Sequence, residues 1–76
     1  MNNTRRKQIQ AIIDKLEELK EDLESVRDEE QEALDNIPES LQGTERYELS
    51  EEAVNNLDEA CDALDSLLEN LEAAQE

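Results

Sequence analysis

The chain has 76 residues, enough for one small domain with a modest hydrophobic core. It contains 23 acidic and 7 basic side chains and no histidine, which gives a formal net charge of −16 at pH 7. This charge argues against unaided binding to nucleic acid or to an anionic membrane, and it favours a basic partner. Composition alone also fits disorder, but the regular three- and four-residue spacing of the apolar residues favours stable helices.

Neither catalysis nor metal chemistry is indicated by the residue types. Without histidine the chain lacks the Glu-x-x-His pairs of a di-iron bundle, and loose binding of Ca²⁺ or Mg²⁺ by acidic side chains is the one metal alternative. Cys61 is the single cysteine, has no histidine base, and is expected to be a buried hydrophobic residue. No signal peptide or transmembrane run is visible, so we expect a cytoplasmic protein without catalytic residues, metal or cofactor.

The first half of the chain predicts one long amphipathic helix over about residues 4–36. With Ile9 at heptad position a, the apolar a and d residues are Ile9, Ile12, Leu16, Leu19, Leu23, Val26 and Ala33. The pattern fails at Glu30 in position a, and we favour a stutter-like shift towards Leu34 over a register-setting role for this acid. Ile13 and Leu34 at position e widen the apolar face, which indicates more than one partner helix.

Three cations lie at the start of this helix, where they oppose its macrodipole: Arg5, Arg6 and Lys7. Asn3 or Thr4 is expected to cap the same end. An antiparallel second helix would bring acids of the C-terminal segment beside these cations and compensate them. The acids in question are Glu69, Glu72 and Glu76.

A turn over about residues 37–43 separates the two halves of the chain. Pro38 biases the residue before it away from helical geometry and therefore ends the first helix. Gly43 is able to adopt a positive φ, and Thr44 is able to cap the second helix. Leu41 is the apolar residue available to plug the end of the bundle.

The second half predicts another helix of similar length, over about residues 44–74. Its a and d positions hold Tyr47, Ser50, Val54, Leu57, Cys61, Leu64, Leu68 and Leu71. The adjacent g positions hold Ala53, Ala60, Leu67 and Ala74, mostly small residues that would let another helix approach closely. The turn is expected to serve chain geometry alone, and the alternative is that its tip, with Leu41, Arg46 and Tyr47, is a contact surface.

Together these patterns predict a single all-α domain over residues 1–76, an antiparallel two-helix hairpin that resembles a coiled coil. The wide apolar faces predict that two hairpins dimerise into a four-helix bundle. The predicted core and oligomer contacts are Ile9, Ile12, Ile13, Leu16, Leu19, Leu23, Val26, Leu34, Val54, Leu57, Cys61, Leu64, Leu67, Leu68 and Leu71.

Most acids of the second helix fall in rows b and e, which form one flank of the predicted rod. With the acids of the first helix they give roughly one carboxylate per 2–2.5 Å, against about one phosphate charge per 1.7 Å of duplex DNA. Both a DNA mimic and a merely solvated helix surface fit this density. The residues expected to contact a partner are Glu48, Glu51, Asp58, Asp62, Asp65, Glu69 and Glu72.

The stretch from Leu23 to Glu52, with LESVRDEEQEALDNIPESLQGTERYE ahead of an acidic helix, carries a family resemblance. It resembles a group of small acidic helical-hairpin proteins encoded by phages and prophages of Gram-positive bacteria. The likeness extends over about two thirds of the chain. It implies a phage-borne accessory protein that binds a host protein, for example as a DNA mimic against restriction, CRISPR or other defence systems, and it identifies no functional residues.

We therefore expect a non-enzymatic, phage-associated protein-binding module that inhibits a basic or nucleic-acid-binding host protein through its acidic surface. Its expected partners are a second copy and that host protein in the host cytoplasm, with no direct contact to nucleic acid or membrane. The alternative is a structural or assembly protein that acts through helix-helix self-association or adaptor binding. The first function predicts salt-sensitive binding, whereas the second predicts that only changes on the apolar face abolish activity.

Overall fold

The computed structural model describes residues 1–76 and contains two long antiparallel helices joined by a short turn. Helix α1 spans Asn3–Asp35, a 3-10 turn spans Glu39–Leu41 and helix α2 spans Glu45–Ala74. The hairpin is a rod with dimensions of 59 × 15 × 12 Å. The all-α hairpin predicted from the sequence is thus confirmed. Neither helix combines the length and the hydropathy required to cross a membrane.

Helix α2 contacts α1 through its a and d rows, as the heptad pattern predicts. Val54, Cys61 and Leu68 at position a are buried, and Leu57 and Leu64 at position d are half-buried. The burial of Cys61 agrees with its expected role as a small hydrophobic residue. Three of the five buried residues of the hairpin therefore belong to a single row.

Helix α1 contacts α2 through its a and e rows, so the a and d seam predicted for α1 is wrong for this contact. Ile13 and Leu34 at position e are buried, with exposures of 2% and 8%. Lys20 and Arg27, also at position e, are half-buried and reach acids of α2. At this row cations of α1 pair with carboxylates of α2, in a chain with a net charge of −16.

The d row of α1 is exposed as a consequence. Ile12, Leu19 and Val26 have exposures of 49%, 56% and 52%, and Leu67 of α2 has an exposure of 44%. These four residues form no core within one hairpin, whereas the other eleven of the predicted set are buried or half-buried. Their role as contacts between hairpins stays a prediction.

The seam of α1 keeps one register along the whole helix. Its members follow alternating steps of three and four residues from Arg6 to Ile37, and they include Glu30. Glu30 is half-buried at its a position, so the predicted stutter does not occur. No shift is required, because Arg27 and Leu34 at position e already flank Glu30 in the seam.

The open end of the hairpin is held by a cap and by one contact between the two helices. Asn2 caps α1, because its side-chain oxygen accepts a hydrogen bond of 2.8 Å from the backbone N–H of Arg5. The cap therefore lies one residue before the expected Asn3. Arg6 donates through Nε to the carbonyl oxygen of Gln75 at 2.9 Å. This cation meets the negative end of the α2 dipole rather than the C-terminal acids that the sequence predicts.

Thr44 caps α2 as predicted, and it also closes the turn. Its hydroxyl accepts from the backbone N–H of Tyr47 at 3.3 Å and donates to the carbonyl oxygen of Leu41 at 2.7 Å. Gly43 does not adopt the positive φ that glycine permits, because the 3-10 segment after Pro38 reverses the chain with ordinary backbone angles. Leu41 is 49% exposed and does not plug the end of the hairpin.

Replacing Ile13 by Ala should lower the free energy of unfolding by about 2–5 kcal/mol, because it opens a cavity in a narrow seam. Leu49→Ala is the control, since Leu49 is 59% exposed and its truncation leaves no cavity. Urea denaturation followed by circular dichroism measures both variants. Equal losses of stability would contradict the assigned seam.

Replacing Gly43 by Ala should raise the free energy of unfolding by about 0.4–1 kcal/mol, because the methyl group restricts the unfolded chain. In the folded chain this methyl group meets no atom within 4 Å. Thr44→Ala should have the opposite effect, a loss of about 1 kcal/mol, because it removes the cap of α2. Thermal unfolding distinguishes the two outcomes, and a destabilised Gly43→Ala would show that the turn geometry is wrong.

Candidate functional site

The hairpin has two flanks, one on each side of the seam between its helices, and they differ in their side chains. Ion pairs between α1 and α2 locate the first flank. Lys20 pairs with Asp65, and Arg27 Nε lies 3.6 Å from Asp58 Oδ1. All four residues occupy e positions, so the e rows of the two helices lie on the same side of the rod. We call this side, made of rows b and e of both helices, the acidic flank.

The acidic side chains of α2 are confined to part of its circumference. Rows b, e and f contain every acid of α2, and rows c and g contain none. Of the seven acids predicted to contact a partner, six are exposed and Asp65 is half-buried. The acidic flank brings together all seven: Glu48, Glu51, Asp58, Asp62, Asp65, Glu69 and Glu72.

An open groove of about 520 Å³ runs along the acidic flank, in the half of the rod away from the turn. Lys20 is the only cation that lines it. Its carboxylates belong to Glu17, Glu21, Glu24, Asp65, Glu69 and Glu72. Such a groove suits the ammonium and guanidinium groups of a basic protein. No group of acidic or cysteine side chains has the geometry of a metal site.

The ion pairs of the acidic flank favour the charged forms of their cations. A hydrogen bond with Asp65 raises the pKa of Lys20, and a hydrogen bond with Asp28 raises the pKa of Arg27. The stability that Lys20 contributes is therefore present below the pKa of an unpaired lysine, and it is lost as the pH rises through the higher folded value. Because both pairs are solvent-exposed, this contribution is small.

The opposite side of the rod carries the d row of α1 and the g row of α2. Because both e rows lie on the acidic flank, the rows on the other side of each seam face away from it. We call this surface the apolar flank, and it consists of Ile12, Leu19, Val26, Ala33, Ala53, Ala60, Leu67 and Ala74. Its large side chains are 44–56% exposed, so a hydrophobic strip runs along the rod.

A second groove, of about 630 Å³, lies at the turn. Ala33, Ile37, Leu41 and Tyr47 contribute to its wall, together with Arg46. Since Ala33 also belongs to the apolar flank, the groove continues that surface to the end of the rod. The tip residues proposed as an alternative contact surface therefore adjoin the apolar flank rather than the acidic one.

Lys20 and Arg27 are site residues that the apolar periodicity does not single out. With Arg6 they place three of the seven basic residues of the chain in row e of α1. A row of cations on one helix, opposite a row of acids on an antiparallel partner, indicates that both rows border the seam. That signal is visible in the sequence and indicates that the e rows lie within the seam or along its edge.

Raising the NaCl concentration from about 0.01 M to about 0.15 M should raise the melting temperature, because the Debye length falls from about 30 Å to about 8 Å. Repulsion among the 23 acids is then screened, whereas the exposed ion pairs that salt also weakens contribute little. Lys20→Gln adds one net negative charge and should make the melting temperature rise more steeply with NaCl concentration. Differential scanning calorimetry measures both, and a melting temperature that falls with salt would show that repulsion among the acids is not the main effect of charge on stability.

Comparison with known proteins adds no relative from which a role can be transferred. No protein-family model, no curated protein and no solved structure matches this chain. Function is therefore inferred from the distribution of charge and apolar surface over the two flanks.

Proposed function

We propose that this chain is a non-enzymatic protein-binding module whose acidic flank engages a basic or nucleic-acid-binding protein. By occupying the groove of that protein it competes with nucleic acid and so acts as a DNA mimic. The resemblance of the stretch Leu23 to Glu52 to phage-encoded hairpins favours a host defence protein as the target, met and inhibited in the host cytoplasm.

The confinement of acids to one part of α2 is the observation that supports this proposal most. Acids that serve only solubility can be spread over every exposed row of a helix. Rows c and g of α2 contain nine residues between Arg46 and Ala74, and none of them is acidic. Helix α2 therefore contributes its acids to one part of the rod surface, whereas the acids of α1 occupy rows a, b, c, f and g.

The charge density along the rod is of the same order as that of nucleic acid. Spread over 59 Å, the 23 carboxylates give about one per 2.6 Å, and the net charge of −16 gives about one per 3.7 Å. Duplex DNA carries about one negative charge per 1.7 Å. Rows b and e of the two helices, with Glu76 just beyond α2, hold ten of these carboxylates, about one per 5.9 Å, so the acidic flank by itself is less densely charged than duplex DNA.

Attraction at the acidic flank is collective rather than pairwise. One exposed ion pair contributes only about 0–1 kcal/mol, but a row of like charges creates a field that accelerates the encounter with a basic surface. In the groove, Glu17, Glu69 and Glu72 offer several carboxylates to an incoming guanidinium. Binding should consequently be fast and should depend strongly on salt.

A structural or assembly role is the second candidate, and the exposed apolar flank favours it. The strip of Ile12, Leu19 and Val26 is the kind of surface that partners usually cover. A protein of this class binds a helical partner or an adaptor through the strip, and its acids provide solubility. The two candidates use different flanks and so differ in their response to salt.

Capture of partners from a bacterial lysate on the tagged protein tests which flank recognises them. We expect the recovered partner to be a nucleic-acid-binding protein that high salt or excess duplex DNA displaces. Partners that stay bound both in the high-salt wash and in the wash with excess duplex DNA would contradict DNA mimicry and support the assembly role.

Neutralising four exposed acids of the acidic flank should weaken the recovered complex by about tenfold or more in Kd, because the local field is reduced. The variant combines Glu51→Gln, Asp62→Asn, Glu69→Gln and Glu72→Gln. The matched control combines Glu18→Gln, Asp22→Asn, Glu29→Gln and Glu32→Gln, which removes the same charge from rows c and g of α1. Isothermal titration with the purified partner compares the two, and equal weakening would contradict recognition by the flank.

A further inference from the structure

We infer that the apolar flank binds a second copy of this chain, packed face to face with the two turns at opposite ends. The inference goes beyond the proposed function, because it concerns the flank that a basic partner does not contact. Each hairpin contributes α1 and α2 to a four-helix bundle in which neighbouring helices are antiparallel. Both acidic flanks then face outward and stay accessible.

A single hairpin buries little hydrophobic surface. Five of its 76 residues are buried. Chains of this size are commonly stabilised by disulfides, metals or association when their own core is small. The single cysteine of this chain is free, and no side-chain cluster has the geometry of a metal site. Association is the stabilising route that the remaining surface provides.

The surface required by a stable dimer is a modest share of the hairpin. Stable interfaces bury about 800 Å² on each partner, which is about 14% of the 5774 Å² of accessible surface of one hairpin. On this face the row of α1 is mostly large, as at Leu19, and the row of α2 is mostly small, as at Ala60 and Ala74, which allows the helices of another copy to approach closely.

The α2 half of the apolar flank presents no acid to a second copy, and row g of α1 borders the flank with Lys15, Asp22 and Glu29. Each chain has a net charge of −16, so contact between acidic surfaces is repulsive. Rows c and g of α2 contain no acid, and the cores of protein interfaces are generally depleted of charge. On the apolar flank α2 has no carboxylate that a basic partner could bind.

The distribution of charge along the rod sets the orientation of the two copies. At the turn, residues 28–57 contain ten acids against Arg46 alone, whereas the open end, residues 1–16 and 69–76, contains four acids and four bases. Parallel packing would superimpose the two highly negative turns. Antiparallel packing places them at opposite ends of a 59 Å rod, far beyond a Debye length of about 8 Å. Antiparallel packing also brings Lys15, at the edge of the apolar flank, towards Glu29 of the other copy.

The side chains of the flank fit this orientation layer by layer. The ion pairs across the seam place Leu19 level with Leu67 and Val26 level with Ala60. A two-fold axis between these layers brings Leu19 of one copy onto Val26 of the other, and Leu67 onto Ala60. Large residues thus meet smaller ones. Ala63 lies beside this axis and faces its own counterpart.

Sedimentation equilibrium of the purified protein alone tests the inference. We expect twice the chain mass of 8.7 kDa. Leu19→Glu should raise the Kd of the dimer by about a hundredfold or more, because it places a charge in an apolar interface. Ser25→Glu adds the same charge on row c of α1, away from the flank, and should leave the mass unchanged. A single-chain mass for the unsubstituted protein, or an undiminished dimer in Leu19→Glu, would overturn the inference.

Crosslinking tests the face and the orientation without altering the large apolar side chains. In a Cys61→Ala background, a short bismaleimide should link Ala63→Cys into dimers but should not link Ser66→Cys, which lies on row f and faces away. Parallel packing places the two Ala63 positions on diagonally opposed helices and leaves them unlinked. Circular dichroism verifies that both variants keep their helices, and a folded Ala63→Cys variant that does not crosslink overturns the antiparallel arrangement.

These measurements contain no basic partner, whereas the lysate capture depends on one. Failure of the acidic flank to recover a nucleic-acid-binding protein therefore leaves the self-association result unaffected. A monomeric protein that still binds such a partner in a salt-sensitive manner overturns only the inference about the apolar flank.

Discussion

The e row of α1 determines how the two helices meet. It alternates the hydrophobic residues Ile13 and Leu34 with the cations Arg6, Lys20 and Arg27. The hydrophobic members close the core, while the cations reach two carboxylates of α2 and its terminal carbonyl group. The e row would also border α2 in an a and d seam, so these ion pairs accompany the observed packing without selecting it. Burial and charge neutralisation still act through the same row.

Because α1 contacts α2 through its e row, the packing also determines which rows of residues are exposed on each flank of the hairpin. The apolar face of α1 spans rows a, d and e, and a single partner helix covers only two neighbouring rows. Row d is left on one side of the seam, while the acids of α2 lie on the other. The acidic flank and the apolar flank are thus two results of one packing geometry, and a partner can occupy one without disturbing the other.

Periodicity alone was sufficient to predict the seam of α2 but not that of α1. In α1 the d row is apolar at Ile12, Leu19 and Val26, whereas the e row contains Lys20 and Arg27, so hydrophobicity alone favours the row that the structure leaves exposed. The pairing of the e-row cations with acids of α2 is a property of both helices, which the periodicity of one helix does not contain. The turn was more predictable, because Pro38 and Thr44 act on adjacent backbone. Gly43 permits a positive φ, but the 3-10 segment does not require one.

The spacing of charge along the rod has a thermodynamic consequence for any basic protein that binds it. A rod with one net negative charge about every 3.7 Å holds a layer of small cations near its surface, as nucleic acid does. Docking on the acidic flank releases these ions into bulk solution, and their dilution is a gain in entropy. The slope of log affinity against log salt concentration then reports how many carboxylates the partner covers, so the size of its footprint can be counted in solution.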